Sequence, residues 1–190
     1  MTFGIFGAAL TLLVFLAPIK AMAGTVPSGP MPEATEEFVE KGRQTYTRRC
    51  SFCHGLLGDG GGPAADYLDP RPRDFTLGTY KFRTTTSGEL PTDNDLFRTV
   101  SRGLPGTAMQ AFDGDLIKNG LSEEERWEVI SYIKTFAMEF DEPDLDPVKT
   151  GKTVSLPANM PPFSPELVAR GKEIFERAKC WSCHGKTGRG

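Results

Sequence analysis

The apolar residues of one early segment recur at the spacing of an amphipathic helix. Within residues 35 to 50, Phe38, Gly42 and Tyr46 follow one another at intervals of four and therefore share one helical face. Thr35 is suited to cap this helix, and the two glutamates that follow it suit the positive end of the helix dipole. A glycine inside a helix costs about 1 kcal/mol relative to alanine, so Gly42 indicates a close packing contact on that face.

A second helix is predicted near residue 130. Ser122 and Glu125 have the spacing of a capping box, and the apolar residues after them recur along one stripe. We expect this stripe to pack on the first helix, and the segment TDNDLFRTVSRG, residues 92 to 103, predicts a further helix before it. The stripe consists of Trp127, Ile130, Ile133 and Ala137.

Two long segments lack helical periodicity. Residues 56 to 83 are rich in glycine and proline, and a loop of this length is usually functional or disordered. Residues 141 to 164 combine prolines with acidic residues, which indicates an extended linker or a strap against the preceding domain. The pattern therefore predicts a first domain at residues 34 to 140, a proline-rich linker at 141 to 164, and a second segment at 165 to 190.

The N-terminus has the pattern of an export signal. Its first 19 residues carry no charged side chain and lead into Lys20 and the small-residue sequence AMAG. We predict a signal peptide at residues 1 to 23, cleaved after Ala23. The alternative is an uncleaved membrane anchor, because the apolar run approaches the roughly 20 residues that a spanning helix needs.

The overall charge argues against one class of partner. The chain of 190 residues has a formal net charge of −3. Binding to nucleic acid depends mainly on clustered cations that neutralise phosphates. We therefore expect no nucleic-acid partner, and membrane contact only if the N-terminal segment is retained.

All four cysteines and both histidines lie in two copies of one motif. CSFCHG begins at residue 50 and CWSCHG begins at residue 180. In an oxidising compartment four cysteines could form two disulfides, and a C-x-x-C pair could also be a redox dithiol or part of a zinc site. None of these alternatives uses the histidines, which are His54 and His184.

The arrangement C-x-x-C-H indicates covalent attachment of c-type haem. Cysteines three positions apart on a helical turn point the same way, so both sulfurs can bond to one edge of a porphyrin. The histidine that follows can ligate the iron through one ring nitrogen while the other donates to a carbonyl or a water. The predicted attachment residues are Cys50, Cys53 and His54 in the first motif and Cys180, Cys183 and His184 in the second.

With these motifs the sequence resembles the class I c-type cytochromes, in particular the bacterial proteins that carry two such domains in one chain. The resemblance covers residues 34 to 140 as a whole domain and 165 to 190 as the start of a second, incomplete one. It implies an all-α fold in which helices and long loops wrap a covalently bound haem c. It also implies that Gly42 and Tyr46 lie where the first and last helices of the domain cross.

The second motif repeats more of the first than its cysteines. VARGKEIFERAKCWSCHG aligns with VEKGRQTYTRRCSFCHG after one insertion, and Gly171 and Phe175 occupy the places of Gly42 and Tyr46. Ser164 and Pro165 suit the start of the helix. We therefore expect a second haem at this motif if the domain is completed.

One methionine is the candidate second ligand of the first iron. The chain has no third histidine or fifth cysteine, and five of its six methionines lie in the export signal, beside the predicted helices or in the linker. Met109 remains, in the glycine-containing sequence GLPGTAMQAF. The family places its methionine in a similar loop, commonly followed by proline where this chain has Gln110. The predicted iron ligands are His54 and Met109 for the first haem and His184 for the second.

The resemblance further implies that the long loop wraps the haem and supplies donors to its propionates. The candidate donors are Arg73, Tyr80, Lys81 and Arg83.

The function implied is that of a periplasmic c-type cytochrome, which transfers single electrons and is not itself an enzyme. It would be a carrier or the electron-transfer subunit of an oxidoreductase complex, and its partners would be other redox proteins. Two-domain relatives often accompany terminal oxidases or periplasmic molybdenum enzymes. A dihaem peroxidase is the main alternative, although such enzymes use additional histidines. A ligand-binding sensor is a third possible function, and it would require a five-coordinate iron.

Overall fold

The computed structural model describes residues 26 to 155 and 161 to 188, which belong to two compact units. The first unit extends to Val154 and the second begins at Ser155. No β-strand occurs in these two described ranges, where the only extended pairings are two isolated bridges. The predicted all-α fold is confirmed. The predicted signal peptide at residues 1 to 23 lies outside the described residues.

The first unit contains four α-helices within its described part: α1 (Glu36–Arg49), α2 (Ser51–His54), α3 (Asp93–Arg102) and α4 (Glu123–Lys134). Short 3-10 turns lie at Ala65–Tyr67, Met138–Asp141 and Pro143–Leu145.

The helix starts follow the predicted capping residues. The Thr35 side chain accepts from the Phe38 amide at the start of α1. At the start of α4, Ser122 and Glu125 form both halves of the capping box. The end of α4 differs from the predicted stripe, because the helix stops at Lys134 and tighter turns carry the chain on to the still-buried Ala137.

The helices α1 and α4 cross in direct backbone contact at Gly42. A Cβ atom on this glycine would overlap the backbone carbonyl of Glu128, so only glycine permits the crossing. One turn further along α1, Tyr46 is 1 % exposed and its ring meets the rings of Tyr132 and Phe136 edge-on or tilted, at 5.3 Å in each case. The close contact predicted for Gly42 is confirmed.

Helix α3 completes the core by packing on α4. The rings of Phe97 and Trp127 lie 4.4 Å apart, and Val129 and Ile130 are fully buried beside them. Burying apolar surface at this density is the main source of stability for a helical unit of this size.

Residues 141 to 154 belong to the first unit, and their last residues run back along it as a strap. The Thr86 amide donates to the carbonyl of Lys152 at 3.0 Å, and the Val154 amide donates to the carbonyl of Thr84 at 2.8 Å. An ion pair joins Lys152 Nζ to Glu89 Oε1 at 2.7 Å. This part of the predicted linker is therefore bound to the rest of the first unit, and residues 156 to 160 of the linker lie outside the described residues.

The described part of the second unit consists of α5 (Pro165–Arg177) and α6 (Trp181–His184). Ser164 caps α5 by accepting from the Leu167 amide at 3.1 Å, as predicted. Neither helix has a buried residue, and a Cβ atom on Gly171 would meet nothing within 4 Å. Across residues 26 to 155 and 161 to 188, no helix is both long and apolar enough to cross a bilayer.

Replacing Gly42 by alanine is expected to destabilise the first unit. Overpacking of this kind costs about 1–3 kcal/mol. The overlap here is with backbone atoms of Glu128, which cannot swing aside, so we expect a cost near the top of this range, above the roughly 1 kcal/mol that alanine gains over glycine in a helix. The measurement is the free energy of unfolding in urea, followed by far-ultraviolet circular dichroism of the haem-loaded protein. Gln44→Ala, at an exposed position of the same helix, is the control. A Gly42→Ala protein as stable as this control would contradict the close crossing.

Candidate haem site

The first C-x-x-C-H motif forms a compact turn at the end of α1. The Cys53 and His54 amides both donate to the carbonyl of Cys50, at 3.1 and 2.9 Å. The buried Tyr46 hydroxyl donates to the carbonyl of Gly55 at 2.7 Å. The helix crossing thus fixes the motif directly, because the same tyrosine packs on α4 and holds the residue after His54.

A cavity of about 480 Å³ opens beside this motif. Its walls come from the motif, the long loop, α3, the segment after α3, and α4. Much of the lining is apolar, which suits the faces of a large flat ring. Apolar side chains from separate elements line it, among them Leu68, Phe75, Leu96, Val100, Phe112 and Ile133. Cys50, Cys53, His54 and Met109 line it as well.

The imidazole of His54 is held in one orientation. Its Nδ1 lies 3.0 Å from the backbone oxygen of Arg73, and its ring stacks on Phe75 with centroids 4.5 Å apart. A carbonyl can only accept, so Nδ1 carries the proton and Nε2 is left as the ligand atom. Burial lowers the pKa of His54, while the hydrogen bond to Arg73 opposes the shift. The balance favours the neutral ring, which is the form that ligates metal.

Met109 reaches the cavity from a loop that starts at Gly103. The loop turns back on itself, because the Leu104 amide donates to the carbonyl of Met109 at 2.9 Å. Thr107 Oγ1 accepts from the Met109 amide at 3.1 Å. Gly103 has φ of 62°, and a Cβ atom there would overlap the Met109 carbonyl. Both the backbone angle and the close approach therefore require glycine at this position.

The two cysteines of the first motif are not joined by a disulfide bond. Burial, reinforced by the neighbouring Cys53, raises the pKa of the Cys50 thiol to about 12, so this thiol is protonated at neutral pH. In the described parts of the chain, no group of three or more histidine, cysteine or acidic side chains is placed to hold a metal ion.

The polar groups of the cavity fit the carboxylate edge of a haem. The Tyr80 hydroxyl is buried in the cavity wall and has no hydrogen-bond partner among the residues that the structure describes, and burial raises its pKa. A buried donor left unpaired is costly, so such a group indicates a missing acceptor. The cavity lining also contains four cationic residues and no acidic one: Arg49, Arg71, Arg73 and Lys81.

Of the four candidate propionate donors, three line the cavity. Arg73, Tyr80 and Lys81 do so, whereas Arg83 is absent from the lining. The guanidinium of Arg83 instead donates to the carbonyl of Tyr80, in a short contact, and to that of Thr86 at 3.3 Å. Arg83 therefore holds the backbone of the loop that carries Tyr80.

The second motif has the same local turn in the second unit. The His184 amide donates to the carbonyl of Cys180 at 3.0 Å, as its counterpart does in the first motif. Cys180 is half-buried, while Cys183 and His184 are exposed.

Two contacts of the site were not predicted. Phe75 stacks on His54, and the group that fixes His54 is the backbone oxygen of Arg73. The long loop contains four aromatic residues, Tyr67, Phe75, Tyr80 and Phe82, and its pattern does not single out Phe75 as the ring that stacks on His54. A carbonyl was one of the two acceptors predicted for the second ring nitrogen of His54, but no side-chain pattern identifies Arg73 as the residue that supplies it.

Comparisons with known proteins agree with this geometry. Residues 39–137 match the family model described as cytochrome c. The cbb3-type cytochrome c oxidase subunit CcoP of Helicobacter pylori (strain ATCC 700392 / 26695) is 24 % identical over 155 residues, covering 82 % of this chain and 40 % of that protein. The same subunit from Helicobacter pylori strain 52 is 23 % identical over 155 residues. The chain thus spans about two fifths of the length of the curated relatives it matches.

One solved structure matches this chain over a larger share of the matched protein's own length than the curated relatives do. The Kuenenia stuttgartiensis reducing HAO-like protein complex Kustc0457/Kustc0458 contains a chain that is 38 % identical. The match has a TM-score of 0.71 and covers 85 % of this chain and 67 % of that one. The family model covers the haem motif, the methionine loop and α4 together, and the chain therefore belongs to the cytochrome c family, whose members bind haem c covalently and transfer electrons through it.

Proposed function

We propose that the protein is an exported, periplasmic cytochrome that passes single electrons between redox proteins, as a carrier or as the electron-transfer subunit of an oxidoreductase complex. The observation that carries this proposal is the meeting of Cys50, Cys53, His54 and Met109 on the lining of one cavity. This set supplies two attachment sulfurs and two axial ligands. An iron with both axial positions filled exchanges electrons and leaves no position for a substrate.

The residues of the site have separate tasks in this function. When bound, haem c supplies a one-electron redox centre whose potential is tuned by its ligands and surroundings. The Arg73 carbonyl holds the His54 ring, and the Gly103 turn presents the Met109 thioether, a ligand that raises the potential. Tyr80 and the cations of the lining offer donors and positive charge to the propionates. The apolar walls exclude water.

The relatives support a place within an assembly. One is named as a subunit of a cbb3-type oxidase and another belongs to a reducing HAO-like protein complex. We infer that this chain works beside other redox proteins in a similar way. The N-terminal pattern supports export, with cleavage after Ala23.

We propose in addition that Cys180, Cys183 and His184 attach a second haem. The turn of this motif repeats that of the first, including the hydrogen bond from the histidine amide to the carbonyl of the first cysteine. Leu167, Val168 and Ile174 of α5 are all more than a third exposed. In the first unit the corresponding helix has its apolar face packed, so this exposed face is consistent with the first part of a second haem domain.

Replacing Met109 by alanine is expected to abolish the thioether-to-iron absorption band of the oxidised protein. The reduction potential should fall by on the order of 100 mV, a fraction of the roughly 0.8 V range that axial ligands span. Visible spectroscopy and a potentiometric titration measure the two effects. Met31→Ala removes a partly buried methionine that packs on the core outside the cavity lining, and it serves as the control. An unchanged band in Met109→Ala would refute the ligand assignment.

The pyridine haemochrome assay is expected to give two haems per chain when the protein is produced with a haem-attachment system. Cys50→Ala with Cys53→Ala should remove one of them, and Cys180→Ala with Cys183→Ala should remove the other. One haem in the unmodified protein, lost only with the first pair, would reject the second site and leave the first intact.

Carbon monoxide and hydrogen peroxide separate this function from its two alternatives. The reduced first site should resist carbon monoxide, because Met109 fills the position that the gas would take, whereas Met109→Ala should bind it. Peroxide turnover with a reduced donor should stay at the level of free haem-peptide controls. Ready carbon monoxide binding by the unmodified first site would favour a sensor, and rapid peroxide turnover would favour a peroxidase.

A further inference from the structure

A buried ion pair lies just beyond the Met109 loop in the chain. Asp113, four residues after Met109, is 1 % exposed, and Arg126 of α4 is 3 % exposed. Arg126 Nη1 lies 2.8 Å from Asp113 Oδ2. Charged residues are rarely buried this completely unless they are paired. Each of these two side chains therefore depends on the other to remain buried.

The pair joins three elements of the first unit. Arg126 Nη1 donates to Ser101 Oγ on α3 at 2.6 Å, and its Nε donates to the carbonyl of Ser122 at 3.2 Å. The guanidinium also lies 4.6 Å from the ring centroid of Phe97. Arg126 therefore connects the end of α3, the start of α4 and the segment that contains Asp113.

Backbone hydrogen bonds reinforce the same junction. The Phe112 amide donates to the carbonyl of Val100 at 3.1 Å, and the Asp113 amide donates to that of Ser101 at 3.3 Å. The Leu121 amide donates to the carbonyl of Phe112 at 2.6 Å. The far end of the Met109 loop is thereby fixed to α3, while its near end is fixed by the Gly103 turn.

We propose that Asp113, Arg126 and Ser101, here called the loop anchor, hold the Met109 loop closed and so determine how often Met109 leaves the iron. This inference rests on the proposed function, because it requires Met109 to be the ligand. None of the three residues lines the haem cavity. They are positioning residues that act through the loop.

The energetic reason lies in the burial of the charges. Removing one partner of a buried ion pair leaves the other charge uncompensated in a low-dielectric interior, which is strongly unfavourable. The structure can relieve this cost by moving one of the joined segments toward water. Residues 103 to 122 connect α3 to α4 and contain no helix. We expect the Met109 loop within this connection to move, and Met109 to move with it.

Competition by imidazole measures the position of the loop. Added imidazole binds the ferric iron only while Met109 is detached, so its apparent affinity is scaled by the detached fraction. A looser loop therefore gives tighter imidazole binding. This readout is taken on folded protein and does not depend on electron-transfer activity.

The experiment compares three variants of the haem-loaded full chain with the unmodified protein. Asp113→Asn should tighten imidazole binding to the first haem about tenfold, which corresponds to 1.4 kcal/mol. Ser101→Ala should shift the affinity in the same direction by a smaller factor. The measurement is an imidazole titration that is monitored by the loss of the thioether-to-iron absorption band. Under the proposed ligation only the first haem gives this band.

Asp95→Asn is the matched control. Asp95 is also 1 % exposed and also pairs with an arginine, Arg98, at 3.0 Å. Its Oδ2 accepts from Thr84 and Thr92, so it holds a different loop. We expect Asp95→Asn to lower the stability of the fold while its imidazole affinity stays within about twofold of the unmodified protein.

The outcomes separate the anchor from a general structural role. An unchanged imidazole affinity in Asp113→Asn, or an equal change in Asp95→Asn, would overturn the loop anchor. If Asp113→Asn fails to fold, Ser101→Ala decides: tighter binding supports the anchor and unchanged binding overturns it. If the unmodified protein lacks the band and binds imidazole as Met109→Ala does, the ligand assignment itself fails, and the anchor with it.

Discussion

The backbone contact between α1 and α4 at Gly42 is the constraint on which the haem site depends. It brings the two helices close enough for Tyr46 to be enclosed by α4 and the turn after it. The hydroxyl of that tyrosine then holds the carbonyl of Gly55, immediately after His54, the proposed iron ligand. The close contact in the middle of α1 therefore determines the position of the haem motif through one side chain, that of Tyr46.

The site combines a mostly apolar wall with a few polar atoms that are held by hydrogen bonds. Apolar side chains from several elements form most of the wall, and their shapes can adjust to a flat ring. The His54 ring and the Met109 backbone, in contrast, are each fixed by a hydrogen bond to a backbone oxygen or a hydroxyl. Directional bonds are therefore placed at the groups whose position controls ligation, and non-directional contacts are used elsewhere.

The sequence predicted those features that follow from local chemistry. The capping residues Thr35 and Ser122, the close contact at Gly42 and the helical class could be deduced because each depends on neighbours within a few positions or on a steric requirement of one residue. The C-x-x-C-H motif indicated haem for the same reason, because the spacing of its residues places both sulfurs and the histidine on one helical turn.

Features that depend on distant parts of the chain were harder to predict. The pairing of Asp113 with Arg126 joins a loop to a helix, and no periodicity relates the two positions. Arg83 looked like a propionate donor by its charge, yet its guanidinium holds backbone carbonyls. The strap at residues 141 to 154 depends on hydrogen bonds to residues more than 60 positions earlier. Such contacts are decided by packing, which local patterns do not encode.

The unpaired Tyr80 hydroxyl and the apolar cavity have a consequence for how this protein stays folded. A chain that encloses them without its cofactor keeps an unsatisfied donor and an empty hydrophobic space, and both lower the stability of the native state. A cofactor held only by equilibrium binding would offset these costs by an amount that grows with the logarithm of its free concentration. The covalent attachment by which the cytochrome c family binds its haem removes that dependence, so the stability that the cofactor contributes no longer varies with the concentration of free cofactor.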